Sequence, residues 1–138
     1  MNNPSKRIMV DMSATLIHHG HIRLLKAAKE LGTVIVALTI DDEIRIKKGY
    51  LPELNFSERR EILESVKYVD EVVSCNWLID EAFLDLHRID LLVHGHDNSN
   101  PIRQERLLIL SRTEGISSNL LRSRVLKSVA DILESSGQ

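Results

Sequence analysis

The chain has 138 residues, of which 43% are hydrophobic and 28% charged, values that suit one globular domain with a real core and exclude disordered and collagen-like classes. A formal net charge of −2 excludes a general nucleic-acid binder, which carries a strongly basic face, so any phosphate ligand must be held by a local site. The single cysteine, Cys75, excludes an internal disulfide framework and a multi-cysteine zinc site; the residues before and within the first apolar run are too few for a signal h-region or a bilayer span, and the expected setting is the cytoplasm, away from membranes.

Residues 7–11, Arg-Ile-Met-Val-Asp, form a short apolar run closing at a polar turn, as a buried parallel strand does. From Gly20 the period becomes 3.6, with Ile22, Leu24, Leu25, Ala28 and Leu31 inward, and Gly32 stops this helix. Residues 33–39 are a second buried strand rich in β-branched side chains, which completes a right-handed βαβ unit. Charges, Gly49 and Pro52 break any long periodicity over residues 40–56, which predicts a mobile loop with one short helical turn at 42–46. Ser57 is the expected N-cap of the next helix, whose apolar stripe is Ile62, Leu63, Val66 and Val69. A short strand at 71–74, a helix at 78–86, strands at 89–93 and 106–110, and a C-terminal helix over 118–133 complete the order. Strands alternating with helices predict an α/β fold: one doubly wound, Rossmann-like domain over residues 1–138 with a five-stranded, mostly parallel sheet.

In such sheets ligands lie beyond the carboxyl ends of the strands. Each unusual polar cluster here, at residues 11–21, 41–48, 94–98 and 112–118, follows a strand. The first cluster runs Asp11-Met12-Ser13-Ala14-Thr15-Leu16-Ile17-His18-His19-Gly20-His21 and ends in a helix start, whose unpaired N–H groups and positive dipole end seat phosphate. His18 and His21 add side-chain donors there, beside the flexible Gly20. The last cluster is Arg112-Thr113-Glu114-Gly115-Ile116-Ser117-Ser118; arginine offers a planar fork for phosphate, and the two serines open another helix. Lys47 and Lys48, with Arg45 nearby, follow the second strand. The plainer alternatives are a histidine-rich surface turn, a serine-capped helix and a solvated charge cluster.

His18-x-Gly20-His21 and Arg112-Thr113-x-Gly115-Ile116-Ser117-Ser118 together resemble the H-x-G-H and R-T-x-G-I-S-[ST] signatures of the cytidylyltransferase-like nucleotidyltransferases. The resemblance spans nearly the whole chain and implies transfer of CMP from CTP to a small phosphate or phosphonate with release of pyrophosphate. It implies that His18 and His21 stabilise charge on the reacting phosphorus, and that Lys47 or Lys48 neutralises the approaching anions. Arg112, Thr113, Gly115, Ile116 and Ser117 would hold the nucleotide with Met12, Ser13, Ala14, Gly20, His94, Gly95 and Asp97. Arg59 and Lys48 would grip the acceptor, Mg2+ would accompany the nucleotide, and the working unit would be a homodimer.

Two departures from the family pattern stand out. His94-Gly95-His96-Asp97 stands where relatives carry Gly-Asp-Asp, and four histidines at one sheet edge (18, 21, 94 and 96) raise a zinc site as an alternative. The Asp11-Met12-Ser13-Ala14 lead-in is similar to cytidylyltransferases of phosphonate pathways, some of which act on 2-aminoethylphosphonate, although Thr15 replaces their aspartate. Glycerol 3-phosphate, phosphoethanolamine and phosphocholine are the other acceptor types the resemblance implies. Adenylyl transfer from ATP and a non-catalytic nucleotide-binding module are the competing functions.

Overall fold

The computed structural model describes residues 5–95 and 98–136. Its sheet has the strand order β3-β2-β1-β4-β5, from β1 (Arg7–Met12), β2 (Thr33–Thr39), β3 (Glu71–Cys75), β4 (Leu91–Gly95) and β5 (Leu107–Leu110). Every pairing between neighbouring strands is parallel. The helices are α1 (His19–Lys29), α2 (Asp41–Lys48), α3 (Phe56–Glu64), α4 (Glu81–Leu86) and α5 (Ser118–Ser136). The strand order reverses direction at β1 and β4, the switch point at which a doubly wound sheet opens a crevice for a ligand.

The two-residue period of the strands divides the core between the two faces of the sheet. Ile8, Val10 and Met12 of β1 pack with Val34, Val36 and Leu38 of β2 against Leu25 and Ala28 of α1 and Leu63 of α3. Met9, Ile35, Ala37 and Leu92 point the other way, onto Ile79, Leu84 and Ile89 around α4. Gly32 lies where the chain turns into β2; a Cβ there would meet the Lys6 carbonyl oxygen at 2.2 Å, the atom that accepts the Thr33 N–H. That close approach, rather than a helix-ending role, is what requires glycine. α1 stops at Lys29, and Leu31 is left 41% exposed rather than on the buried side.

The region expected as a loop with one helical turn at 42–46 is half helix, the turn extending to a full helix. α2 fills residues 41–48, with Asp41, Asp42 and Glu43 at its N-terminus and Arg45, Lys47 and Lys48 at its C-terminus, so side-chain charge opposes the helix dipole at both ends. Ile44 is buried, and Gly49 at φ 80° ends the helix in the left-handed conformation that glycine takes without strain. α3 starts earlier than expected: Asn55, not Ser57, is its N-cap. The Asn55 side chain accepts from Glu58 N–H while Glu58 accepts from Asn55 N–H, a reciprocal capping box.

Candidate active site

A cleft of about 660 Å3 opens at the carboxyl ends of β1, β2 and β4, within the size range of small-ligand sites. One wall is the turn after β1. His18 is the N-cap of α1, and its Nδ1 accepts from Gly20 N–H at 3.1 Å. His21 Nδ1 in turn accepts from His18 N–H at 3.1 Å, and the two rings stack with centroids 4.0 Å apart. Because both Nδ1 atoms accept backbone protons, each neutral imidazole must carry its own proton on Nε2. A Cβ on residue 20 would lie 2.8 Å from His18 Cε1, so glycine is what lets the His18 ring fold back over the helix start.

Both histidines are kept neutral. Burial, then the neighbouring His18, then the Arg112 charge push His21 down to about 3. Burial, His19 and Arg112 lower His18 as well. Two neutral Nε2–H donors at a helix N-terminus bind a polyanion without repelling the guanidinium beside them.

Arg112 lies on the opposite wall with Thr113, Ile116 and Ser117. A single side chain clasps the two walls together: Ser118 Oγ donates to the Leu16 carbonyl at 3.0 Å and accepts from Leu16 N–H at 3.3 Å. This bond spans 102 residues of sequence and brings the N-termini of α1 and α5 to one cleft. Neither helix has an acidic residue in its first turn, whereas α2, α3 and α4 each have at least one. The positive ends of α1 and α5 are therefore left open to an anion.

The structure separates the two candidate lysines. Lys48 lines the cleft, with Nζ 5.8 Å from the centre of the Trp77 ring; desolvation and the charges of Arg122 and Arg112 lower its pKa. Lys47 precedes it on the exposed surface of α2 and is not part of the cleft wall. Gly115 shapes the turn at φ 79° without lining the cleft.

Met12, Ser13, Ala14, Gly20, His94 and Gly95 are on the cleft wall as expected, while Asp97 lies outside the described residues, as does His96. His94 Nδ1 donates to Asp11 Oδ1 at 2.6 Å, and Asn100 Nδ2 donates to Asp11 Oδ2 at 3.3 Å. The nearly buried Asn100 also accepts from Ile79 N–H at 2.8 Å. These bonds commit His94 to a carboxylate on β1; among the described residues no group of three metal-ligating side chains is present.

Arg59, expected to grip the acceptor, is completely buried. Its Nε donates to the Leu54 carbonyl at 3.0 Å, Nη1 to the carbonyls of Ser13 at 2.7 Å and Thr39 at 2.9 Å, and Nη2 to Asp41 Oδ1 at 2.6 Å. It braces the ends of β1 and β2 from beneath and has no face toward the cleft. Sequence reasoning also passed over Arg122, which makes two bonds to Glu53, at 2.6 and 2.7 Å, and one to Thr15 Oγ1 at 2.7 Å. Its guanidinium lies 4.7 Å from the Tyr50 ring centre. The loop after Lys48 is thus tied to α5 and to the β1 turn.

Comparison with known proteins agrees with this geometry. Residues 13–124 match the Cytidylyltransferase-like family. The chain is 33% identical over 125 residues to a glycerol-3-phosphate cytidylyltransferase of Bacillus subtilis, covering 87% of this chain and 97% of that protein. It is 32% identical to an ethanolamine-phosphate cytidylyltransferase of Dictyostelium discoideum, covering 96% of this chain but 40% of that longer protein. In fold it is similar to a lipopolysaccharide core biosynthesis protein of Thermoplasma volcanium, with a TM-score of 0.67 at 19% identity over 79% of this chain and 98% of that one. The clasped His18–His21 and Arg112–Ser118 segments and these matches together show that the chain belongs to the cytidylyltransferase-like family.

Proposed function

We propose that this protein is a CTP-dependent cytidylyltransferase, an enzyme of the EC 2.7.7 class that joins CMP to a small phosphate or phosphonate acceptor and releases pyrophosphate. The observation that carries this reading is the Ser118–Leu16 clasp, which sets the two helix N-termini, His18, His21, Arg112 and Lys48 around one cleft.

In this reading an acceptor oxygen attacks the α-phosphorus in line. A new P–O bond forms as the bond to the bridging pyrophosphate oxygen breaks, and no covalent enzyme intermediate arises. The Nε2–H groups of His18 and His21 donate to the phosphate oxygens as charge builds on them, the kind of preorganised stabilisation that dominates phosphoryl-type transfer. Lys48, rather than Lys47, offsets the charge of the two approaching anions. Arg112 and the N–H groups opening α5 hold the departing pyrophosphate. The phosphate side of the cleft offers cations and donors, and its nearest cleft carboxylate, Asp11, is taken up by His94 and Asn100. Cations and N–H donors do not ligate a metal ion, so Mg2+ would be carried by the triphosphate rather than by these residues, and would supply charge neutralisation there. The reading carries a homodimer working in the cytoplasm.

Pyrophosphate release measured with CTP and with ATP, each against glycerol 3-phosphate, phosphoethanolamine, phosphocholine and 2-aminoethylphosphonate, tests it. Release with CTP and one acceptor is expected. Release with ATP alone identifies an adenylyltransferase, and tight nucleotide binding without release in every pairing identifies a non-catalytic module; either overturns the proposal.

A further inference from the structure

Lys48 carries a flexible ammonium set among like charges. The guanidinium groups of Arg112 and Arg122 both bear on it, and its own charge reaches His21. Among the described residues no carboxylate pairs with it. The acids of its own helix are engaged elsewhere, Asp41 with Arg59, Asp42 with Arg45 and Glu43 with a backbone N–H. An unheld lysine ranges over many rotamers, so something other than an ion pair must keep this one in the cleft until a polyanion arrives.

What lies beside it is Trp77. The ammonium is 5.8 Å from the centre of the indole ring, inside the range over which the negative face of the ring attracts a cation. Trp77 is the chain's single tryptophan, yet it belongs to neither of the two cores; it stands half-buried in the segment after β3 and lines the cleft. That segment is pinned at alternate residues. Trp77 N–H donates to Glu43 Oε1 at 2.9 Å, and Ile79 N–H donates to Asn100 Oδ1 at 2.8 Å. Asn100 is held in turn, since its Nδ2 donates to Asp11 and its own N–H donates to Asn98 Oδ1 at 3.0 Å. Only an amide offers an acceptor to the N–H on one side and a donor to the carboxylate on the other. Glu43 and Lys48 are five residues apart on α2, so one helix grips the backbone of Trp77 and lays its lysine against the ring. A carboxylate in place of the ring would also hold the ammonium, but it would cancel the charge and compete with the substrate anions. The ring attracts through its quadrupole, has no charge, and leaves N–H donors free to turn toward the cleft.

We infer that Trp77 is a positioning residue, whose ring, fixed by Glu43 and Asn100, orders the Lys48 ammonium toward the reacting phosphates. The inference rests on the anion-binding role that the proposed function gives to Lys48. Ordering the ammonium in advance lowers the entropy lost when a polyanion binds.

Tryptophan emission of the full-length protein reads this contact directly, because no second indole contributes. A cation against the ring perturbs the emission, so Lys48→Met should shift it in the ligand-free protein, and Lys47→Met, outside the cleft, should not; no shift in Lys48→Met, or an equal shift in both, overturns the inference. Calorimetric affinity for inorganic tripolyphosphate gives a second reading that needs neither base nor acceptor. Trp77→Leu should weaken it roughly fivefold, the weight of a half-exposed ammonium–indole contact, and Trp77→Phe less. In a Lys48→Met background Trp77→Leu should change it by less than about twofold, since a residue that acts through Lys48 then has nothing to act on. The same cycle on kcat/KM for the acceptor should be non-additive in the same sense. Effects that multiply make Trp77 an independent substrate contact and overturn the inference, as does a parent protein that fails to bind tripolyphosphate or a Trp77→Leu protein that binds it like the parent. Glu43→Gln keeps an acceptor for Trp77 N–H and should match the parent in emission and affinity, whereas Glu43→Ala should alter both; a Glu43→Ala protein like the parent also counts against it. Melting temperatures show that each variant is folded. Absence of pyrophosphate release in every pairing defeats the proposed function, while emission and tripolyphosphate affinity still decide this inference.

Discussion

Replacing Arg59 by alanine separates a brace from a ligand-gripping residue. The substitution removes a fully buried guanidinium that serves three backbone carbonyls, those of Ser13, Thr39 and Leu54, and the Asp41 carboxylate. Breaking a buried ion pair from one side costs about 3–5 kcal/mol, because the remaining charge is left uncompensated, and each orphaned carbonyl adds about 1–3 kcal/mol unless water reaches it. Asp41 is 32% exposed and water can enter the hole, which favours a total of about 4 kcal/mol. That is a large share of the 5–15 kcal/mol typical of a folded domain, and at about 3–4 °C per kcal/mol for a chain of this size the melting temperature should fall by roughly 12–16 °C. Arg59→Lys should recover part of the loss, since an ammonium reaches Asp41 but lacks the fork that serves all four acceptors. Urea and thermal unfolding followed by circular dichroism give the result, with the acceptor KM measured on the fraction that remains folded. A melting temperature within 2 °C of the parent together with a tenfold rise in acceptor KM would refute the brace.

Three further outcomes are expected. His21 should lend stability a pH dependence. Its folded pKa of about 3 is below the 6.5 of the unfolded chain, so its contribution is full above pH 6.5 and is lost as pH falls toward 3. The slope approaches 1.4 kcal/mol per pH unit. Urea midpoints at pH 7.5, 6 and 5 should show the decline, and His21→Asn should flatten it; an equal decline in both proteins rejects the assignment. His18→Ala should cut pyrophosphate release by roughly 10²–10³-fold while costing only about 1 kcal/mol as a lost helix cap; unchanged turnover sinks the role given to this ring. Arg122→Ala should free the loop after Lys48 and lower kcat/KM roughly tenfold, about 1–2 kcal/mol for partly exposed charge-assisted bonds, with a melting shift under about 5 °C. Arg122→Lys should not restore it, because lysine cannot serve Glu53 and Thr15 together; full rescue argues against the latch.

Residue patterns local in sequence were legible before the fold was. Short apolar, β-branched runs announced the buried parallel strands, and His-x-Gly-His marked the strand-to-helix junction that lines the cleft. Long-range partnerships were not. Lys48 and Lys47 are adjacent in sequence, and only the direction of the last turn of α2 puts one in the cleft and leaves the other outside. The resemblance gave Arg59 a place at the acceptor because an arginine among glutamates on a helix is normally accessible; its burial depends on four acceptors drawn from residues 13, 39, 41 and 54. The helix at 41–48 was read only as a turn at 42–46 because just one of its two isoleucines, Ile44, is buried while Ile46 is exposed; the signal that supports the full helix is the charge order along the dipole. Asn55 and Glu58, by contrast, form a capping box readable in the sequence, and Ser57 drew attention from it.

The β1 turn shows why these distant arginines matter to the chemistry. Ala14, buried between Ser13 and Thr15, has φ 46°, a left-handed conformation that costs a non-glycine residue on the order of 1 kcal/mol or more and persists only where the surroundings enforce it. The enforcement comes from both sides. Arg59 holds the Ser13 carbonyl from beneath, and Arg122 holds the Thr15 hydroxyl from the α5 side. Leu16, the next residue, is fixed by Ser118, so three of the four positions from 13 to 16 are held by residues 46 to 107 positions away in sequence, with Ala14 between them. The imidazole donors then project from a support whose geometry is already determined when a nucleotide arrives, and little of the binding free energy is spent on ordering it. Thr15 fits this support through its hydroxyl: it accepts a guanidinium N–H with no charge of its own, which leaves Arg122 paired with Glu53. An aspartate there would compete with Glu53 for the same guanidinium and loosen the loop that carries Lys48. The Thr15 substitution and the Arg122–Glu53 latch are therefore two halves of one arrangement.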